Sequence, residues 1–248
     1  MWAGRWQVQR FTEIDSTNSY LKEQARAGAT EGAVAVADHQ TAGRGRMDRR
    51  WEAPPGASLL MSVLLRPDLA PELLHLCTAA VALAAAEAAE QVAGVRPDLK
   101  WPNDLILGRG KVAGVLAEAD FEGSAVRHVV VGIGINLSWP GPPDVGGTCL
   151  DDHRPGATPT DRDQLLDALL ENLSPRRAQL DTEEGRAAVA AELRQRCATV
   201  GRHVRVELAG ETISGLAEGI DDAGRLLLES GGATRVIAAG DVVHLRPR

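Results

Sequence analysis

The pattern of hydrophobic residues in this chain changes near residue 200, and that change constrains the fold more than any other feature. Up to about residue 198, strand-like stretches are mixed with long helical ones, whereas five short β-type runs separated by turns follow Gly201. Five such strands fit a small SH3-like β-barrel. A unit of this size is expected to pack on the larger part rather than to stand alone. We therefore predict two domains, residues 1–198 and residues 199–248.

The larger part predicts an α+β fold, because its strands cluster between helices without strict β–α–β alternation. The sheet is expected to be mixed or antiparallel and flanked by helices. An Ala-rich helix is long and apolar enough to be largely buried. Predicted helices cover 15–28, 71–93 (the Ala-rich one), 161–173 and 183–197. Predicted strands cover 33–38, 57–66, 104–108, 111–119 and 126–137, and 138–160 is predicted to be a loop.

Composition excludes several classes of protein. The net charge of −7 argues against broad binding to nucleic acid or to an anionic membrane. Charges, glycines or prolines interrupt each apolar run, and the first residues lack a secretory signal, so we predict no membrane span and a cytoplasmic location. The three cysteines and six histidines show no metal-ligand spacing, so no protein-held metal is expected.

A loop rich in arginine and glycine runs from Thr41 to Trp51. Four of its residues between positions 44 and 50 are arginines, and guanidinium groups suit phosphate or carboxylate. Its glycines allow close approach of the backbone to a ligand. A solvated basic loop and a single-stranded nucleic-acid site are the alternatives that the residues alone leave open.

Only three of the 27 basic residues are lysines, so the lysines that remain are of interest. Lys100 precedes the turn-forming sequence Pro102-Asn103-Asp104, and Lys111 begins an apolar strand. A lysine there can direct its ammonium group toward a bound anion, and an edge-strand lysine that discourages aggregation is the alternative.

Two further segments have the composition of a ligand site. Glycines alternate with apolar residues over 131–136, which favours a bulge or a ligand lying against the backbone. The segment Ser16-Thr17-Asn18 begins a helix, where it either caps the helix or binds a neutral polar group. The dinucleotide-binding and phosphate-loop patterns are absent.

Taken together and in order, these segments resemble the biotin–protein ligases. The matching stretches are DSTNSYLKEQA, ADHQTAGRGRMDRRW, GASLLMSVLLRP, LKWPNDLILGRGKVAGVLAEA, VVVGIGINL and the small C-terminal β domain. The resemblance implies a catalytic domain like that of class II tRNA synthetases. It also implies a two-step reaction, in which biotin and ATP with Mg²⁺ give biotinyl-5′-AMP and a lysine of a biotin carboxyl carrier domain then takes the acyl group.

The resemblance also implies site residues, several of which serve two roles. The implied catalytic residues are Lys111, Arg46, Lys100 and Asp104. The implied biotin-binding residues are Ser16, Thr17, Asn18, Gln40, Gly43, Arg44, Gly45, Arg46, Lys111, Gly114 and Gly132. The implied ATP- or adenylate-binding residues are Arg46, Arg49, Trp51, Lys100, Asn103, Lys111 and Asn136. Mg²⁺ is expected to be held mainly by phosphates, and no tightly bound cofactor is expected.

The sequence departs from this family in one place. Met47-Asp48 stands where many members have a basic residue and a glycine, which affects closure of the loop. The first motif begins at Asp15, so no N-terminal DNA-binding domain and no DNA partner are predicted. The implied protein partner is a carrier domain of an acyl-CoA or pyruvate carboxylase. The alternatives are a lipoate–protein ligase and a non-catalytic sensor of biotin or nucleotide.

Overall fold

The computed structural model of the chain describes residues 5–208 and 210–245, which form two β-sheets and four α-helices. The helices are α1 (Thr17–Arg26), α2 (His75–Ala93), α3 (Arg162–Gln179) and α4 (Glu183–Arg196). The first sheet contains β1 (Gln7–Ile14), β2 (Ala33–Gln40), β3 (Ser58–Leu65), β4 (Asp98–Lys100), β5 (Asp104–Leu107), β6 (Gly110–Glu122) and β7 (Ala125–Asn136). The second contains β8 (His203–Glu207), β9 (Thr212–Ile220), β10 (Leu226–Ser230), β11 (Ala233–Ile237) and β12 (Asp241–His244).

The first sheet is mixed, as the sequence predicts. Its strand order is β1-β2-β3-β7-β6-β5-β4. The edge strand β1 runs parallel to β2, and α1 connects the two, whereas the other neighbours are antiparallel. The predicted α+β class with a mixed, helix-flanked sheet is therefore confirmed.

One face of this sheet packs in the core and the other borders a cleft, and the side chains of β7 account for the difference. Successive side chains of a strand point to opposite faces. On one face Val131, Ile133 and Ile135 pack in the large core that contains α2. On the other face Val130 packs with α1, and the glycines at alternate positions after it leave space next to the N-terminus of α1. The alternation of glycine and apolar residues thus builds a core on one side and a cleft on the other.

Helix α2 crosses the centre of the large core. The segment Pro71–Ala93 is long and apolar enough to span a membrane by length and composition alone, but most of it is buried inside the fold. Small side chains let the helix approach the sheet and α3 closely, and almost all of its alanines are buried. The predicted burial of this helix is confirmed.

The second sheet is antiparallel with strand order β11-β10-β9-β8-β12, and the five predicted strands are confirmed. Closure of this sheet into an SH3-like barrel stays a prediction. The sheet packs on the larger part through Trp101, whose indole Nε1 donates to the Gly224 carbonyl at 3.0 Å. The Trp101 backbone N–H donates to Thr199 Oγ1 at 3.1 Å. Apolar residues of both sheets belong to one continuous core.

Three elements differ from the sequence prediction. Strand β1 was not predicted because its residues are mostly polar and exposed, and β4 was not predicted because it has only three residues. Helix α3 continues to Gln179 through Pro175, so its predicted end at residue 173 is wrong. Proline usually ends a helix. Here the helix places Arg176 and Arg177 in buried ion pairs with Glu87 and Glu31, which stabilise the last turns.

Candidate active site

A cleft lies on the α1 face of the first sheet, where the N-terminus of α1 meets strands β6 and β7. The arginine-rich loop, residues 41–51, covers one side of this cleft through Trp51. The residues that line it come from six parts of the chain: Ser16, Thr17, Asn18, Gln40, Arg44, Trp51, Met61, Gly114, Leu116, Gly132, Ile133 and Gly134. Seven of the eleven residues that the resemblance assigns to biotin binding are therefore together.

One end of the cleft, which we call the head-group end, is a network of neutral polar groups at the start of α1. Ser16 caps the helix by accepting a hydrogen bond from the Ser19 N–H. Thr17 donates from its backbone N–H to Gln40 Oε1 at 2.7 Å, and its hydroxyl lies 2.6 Å from Ser62 Oγ. Ser62 Oγ donates to Asn18 Oδ1 at 2.5 Å. Ser16, Thr17, Asn18 and Ser62 are buried, so the network is fixed before any ligand binds.

A charged cluster lies beside this network and is centred on Glu118 of β6. One carboxylate oxygen is 2.7 Å from Lys22 Nζ. The other is 2.6 Å from Arg44 Nη2 and 2.9 Å from Asn18 Nδ2. Burial alone would raise the pKa of Glu118, but the hydrogen bonds from Lys22 and Asn18 and the charge of Arg44 outweigh it and hold the pKa below its usual value. Glu118 is therefore an anion at neutral pH.

The floor of the cleft requires glycine. A Cβ atom at Gly132 would overlap the side chain of Asn18, and one at Gly134 would overlap the Trp51 indole. At Gly114 a Cβ would lie 3.0 Å from the Trp51 ring and 3.1 Å from Lys111 Nζ. Side chains at these positions would therefore displace the groups that line the cleft.

Lys111 borders the other end of the cleft, beside Trp51 and Gly114, although it is not among the residues that line the cleft. Its Nζ atom is 2.7 Å from Asp104 Oδ1 and 5.5 Å from the centre of the Trp51 ring. Strand register places Lys100 opposite Asp104, and Asp104 opposite Gly114. Lys111 and Asp104 thus mark one end of the cleft, which we call the phosphate end, and Lys100 is next to Asp104 in strand register.

Arg46 and Arg49 contact the C-terminal sheet instead of lining the cleft, whereas Arg50 donates to the Thr41 carbonyl within the loop. Arg46 donates to Asn103 Oδ1 and to the Gly240 carbonyl, each at 3.2 Å, and lies 3.8 Å from Asp241. Arg49 forms an ion pair with Asp241. Burial lowers the pKa of Arg46 from its usual value, although Asp241 opposes that effect. Asp241 is therefore a shared anchor for two residues of the arginine-rich loop.

The tip of the arginine-rich loop is a tight turn formed by Met47 and Asp48, the two residues at which the sequence departs from the family. Met47 and Asp48 have φ angles of 54° and 57°, and the Arg49 N–H donates to the Arg46 carbonyl at 3.2 Å. Left-handed backbone is costly for a residue with a Cβ atom, so these two positions strain the turn. Within the loop, a Cβ at Gly43 would overlap the Trp51 carbonyl, whereas Gly45 has more space.

Of the seven residues predicted to bind the nucleotide, only Trp51 lines the cleft. The other six, which lie outside the lining, are Arg46, Arg49, Lys100, Asn103, Lys111 and Asn136. Lys100 lines a small depression behind the cleft, together with Trp101. Asn103 donates from Nδ2 to the Val115 carbonyl at 2.8 Å, and Asn136 donates to the Thr148 carbonyl at 3.0 Å. Both amides therefore hold backbone segments that border the site. Across residues 5–208 and 210–245, we find no group of three acidic, histidine or cysteine side chains that could hold a metal ion.

Sequence reasoning missed four residues of the site. Ser62 completes the head-group network, Glu118 and Lys22 form the adjacent charged cluster, and Asp241 anchors the loop. Lys22 carried a signal, because it is one of only three lysines in the chain. The other three residues meet the site only through the fold.

Two comparisons identify the family once this geometry is known. Residues 10–136 match the model of the biotin/lipoate A/B protein ligase family. The chain is also 39% identical over 251 residues to a biotin–[acetyl-CoA-carboxylase] ligase of Mycobacterium tuberculosis, covering 98% of this chain and 91% of that protein. The chain belongs to the biotin/lipoate A/B protein ligase family. Residues 199–245 further match the model of the biotin protein ligase C-terminal domain.

Other members of this family are similar over nearly the whole chain. A biotin–[acetyl-CoA-carboxylase] ligase of Paracoccus denitrificans is 35% identical, covering 92% of this chain and 96% of that protein. Among solved structures, the biotin protein ligase of Aquifex aeolicus in complex with biotin and ATP has a TM-score of 0.79 and 27% identity. That match covers 97% of this chain and 99% of that one.

Proposed function

We propose that this chain is an ATP-dependent ligase that attaches biotin to a lysine of a biotin carboxyl carrier domain through biotinyl-5′-AMP. One observation carries the proposal. A single cleft extends from a buried network of neutral hydrogen-bonding groups across a floor of glycines, and Lys111 borders it beside Trp51 and Gly114. Biotin has the matching chemistry, with a neutral ureido head at one end and a carboxylate at the other. Relatives named as biotin ligases support the same function.

In the first step the biotin carboxylate attacks the α-phosphorus of ATP. A P–O bond forms, the bond to the bridging oxygen breaks, and pyrophosphate leaves with that electron pair. Negative charge accumulates around the α-phosphate, so a fixed cation there lowers the barrier. Lys111 has the position for this role, and it would exchange its contact with Asp104 for contacts with the carboxylate and the α-phosphate.

In the second step the acceptor lysine amine attacks the acyl carbon of the mixed anhydride. An amide bond forms, AMP leaves with the electron pair of the broken C–O bond, and the amine loses a proton. Asp104 borders the reacting end of the cleft, where its carboxylate can orient the incoming ammonium group. The donor of the amine would be a carrier domain of an acyl-CoA or pyruvate carboxylase.

The nucleotide would be bound by the phosphate end and the arginine-rich loop. Arg46 and Arg49 carry the charges that would bind the pyrophosphate portion, and Trp51 would cover the adenylate near Lys111. Mg²⁺ would enter with ATP and be held largely by phosphate oxygens, since it retains water and phosphate ligands readily. Asn103, Asn136 and Lys100 would shape this end, although they do not line the cleft.

The wider predictions also stay proposals. We propose a cytoplasmic location, no DNA or membrane partner, and a domain boundary at residues 198–199. The small C-terminal sheet would then assist catalysis by holding the arginine-rich loop through Asp241.

ATP–pyrophosphate exchange tests the proposed function directly. Exchange should be measured in the presence of Mg²⁺ with biotin, with lipoate and with neither acid. We expect exchange with biotin only. The second half-reaction is tested by transfer of labelled biotin to a purified carrier domain, with a carrier in which the acceptor lysine is replaced by arginine as the control.

The other outcomes would identify the alternatives. Exchange with lipoate only would retain the adenylation chemistry and overturn the substrate. Biotin binding without exchange would indicate a sensor. Affinity for single-stranded nucleic acid that falls steeply with salt would instead assign the arginine-rich loop to nucleic-acid binding.

A further inference from the structure

We propose that Glu118, secured by Lys22, is a positioning residue that fixes the hydrogen-bond polarity of the head-group end and anchors Arg44 of the arginine-rich loop beside it. This inference rests on the proposed function, because it concerns how the same cleft selects biotin. Neither Glu118 nor Lys22 lines the cleft itself.

Glu118 makes three polar contacts with three different parts of the fold. Asn18 and Lys22 are four residues apart on α1, so both side chains lie on the helix face that meets β6. Arg44 comes from the arginine-rich loop. The carboxylate is only 20% exposed, so its charge is poorly screened by water and it interacts strongly with these groups.

The carboxylate determines which atoms of the network donate. An ionised carboxylate accepts hydrogen bonds only, so Asn18 must turn its NH₂ group toward Glu118 and its Oδ1 toward Ser62. Ser62 then donates to Asn18, so the single Thr17 hydroxyl proton is directed to two protein acceptors, Ser62 Oγ at 2.6 Å and Gln40 Oε1 at 3.0 Å. The Thr17 hydroxyl proton is thereby used inside the protein.

This polarity has a consequence for substrate selection. With its proton directed to Ser62 and Gln40, the Thr17 hydroxyl offers a lone pair to the cleft, which is the complement of a ureido N–H donor. Hydrogen bonds in such chains polarise one another, so the anion at one end strengthens the acceptor at the other. A neutral group at position 118 would remove that constraint.

Lys22 and Arg44 use the two carboxylate oxygens in different ways. Lys22 contacts the oxygen that Asn18 and Arg44 do not use, so it holds the carboxylate without competing for the same atom. Arg44 belongs to the loop, and its ion pair is the loop's direct contact with strand β6 near the head group. The binding of biotin and the position of the loop are thus coupled through one carboxylate.

The decisive variant is Glu118→Gln, which keeps the size of the side chain and removes its charge. We expect the dissociation constant for biotin, measured by titration calorimetry, to rise about tenfold, because charge-assisted hydrogen bonds are replaced by weaker neutral ones. The KM for ATP in pyrophosphate exchange should stay within about twofold, since Glu118 lies away from the phosphate end. Biotin should also protect the arginine-rich loop less from trypsin.

Two further variants separate positioning from general stability. Lys22→Met should weaken biotin binding in the same direction by about threefold, and Lys22→Arg should restore it, because the cation and not the side-chain shape is needed. Glu122→Gln is the matched control. It makes the same chemical change on the same strand, at a side chain that is 79% exposed. It should leave the dissociation constant for biotin and the KM for ATP unchanged.

Thermal unfolding of each variant provides the remaining comparison. Unchanged biotin affinity in a folded Glu118→Gln protein would overturn the inference, as would losses for biotin and ATP that merely follow a lower melting temperature. Biotin binding by the wild-type protein separates a failure of the proposed function from a failure of the role of Glu118. If it binds no biotin, the proposed function fails. If it binds biotin and the variant binds equally well, only the role of Glu118 fails.

Discussion

The two ends of the cleft are constructed in different ways. At the head-group end, Ser16, Thr17 and Asn18 are at most 4% exposed. The groups that line the cleft there are neutral, and the one carboxylate of the network, Glu118, lies behind Asn18. At the phosphate end, the cations contact the protein's own carboxylates instead. Lys111 contacts Asp104, and Arg49 contacts Asp241.

This difference shows how one cleft can bind a substrate with a neutral and an anionic part. A neutral head group gains most from donors and acceptors that are already desolvated and oriented. A cation without a partner would be costly, so Asp104 pairs with Lys111 until an anionic substrate replaces it. Asp241 has a different role, because it holds Arg46 and Arg49 near the site. Affinity for biotin should thus depend on a fixed network, and affinity for ATP on an exchange of ionic partners.

The largest effect is expected for Lys111→Ala. Removing the cation at the reacting phosphate should lower the rate of biotin-dependent pyrophosphate exchange by about 10³-fold, since one lost stabiliser of transition-state charge has effects of that order. The dissociation constant for biotin should change far less. Arg109→Ala, at an exposed residue of the adjacent turn, is the control. Exchange at the wild-type rate would exclude Lys111 from the mechanism.

The next largest effect tests the head-group end. Thr17→Val replaces a buried hydroxyl with a methyl group of similar size and removes the hydroxyl contacts with Ser62 and Gln40. Calorimetry should show biotin binding weakened by about thirtyfold, or ~2 kcal/mol. Exchange should recover at saturating biotin, because the phosphate end is intact. A fall in the maximal rate with unchanged affinity would contradict the division between the two ends. Ser19→Ala, at the residue that follows Asn18 but does not line the cleft, is a suitable control.

Asp241→Asn tests whether the anchor of the loop arginines favours or opposes nucleotide binding. We expect the KM for ATP to rise about tenfold, because Arg46 and Arg49 lose the charge that holds them near the site. The dissociation constant for biotin should not change. A lower KM for ATP would instead mean that Asp241 competes with phosphate. Glu211→Gln, at an exposed ion pair of the same sheet, serves as the control.

The smallest effect concerns the loop turn. Met47→Asn places a residue that tolerates left-handed backbone at a position with φ of 54°, and Met47 is 59% exposed, so little else changes. The turn should gain about 1 kcal/mol, which corresponds to roughly fivefold slower tryptic cleavage within residues 44–50. Cleavage at an equal or faster rate would show that the turn is not strained. The variant Met47→Leu should behave like the wild type.

The sequence predicts those parts of the cleft in which all the relevant residues belong to a single strand or a single helix end. The alternation over 131–136 and the segment 16–18 both lie at the cleft, because their spacing follows directly from strand and helix geometry. The short β runs after Gly201 likewise form the five predicted strands.

The parts that could not be predicted depend on long-range contacts. Glu118 and Asp241 are ordinary acidic residues in the sequence, and each acquires its position from elements far away in the chain. Helix α3 continues through Pro175 because distant acidic residues form ion pairs with its last turns. Helix propensity, which depends on neighbouring residues only, cannot predict such pairs. Tertiary contacts override local preference in such places.

The hydrogen bonds of Trp101 to Gly224 and Thr199, together with the core that runs through both sheets, have a consequence for how the molecule denatures. Neither sheet can lose its packing without exposing apolar surface of the other, so melting is expected to be one cooperative event. A reporter placed in either sheet would then record the same midpoint. In evolution, the two sheets are expected to change in concert rather than be exchanged as separate modules.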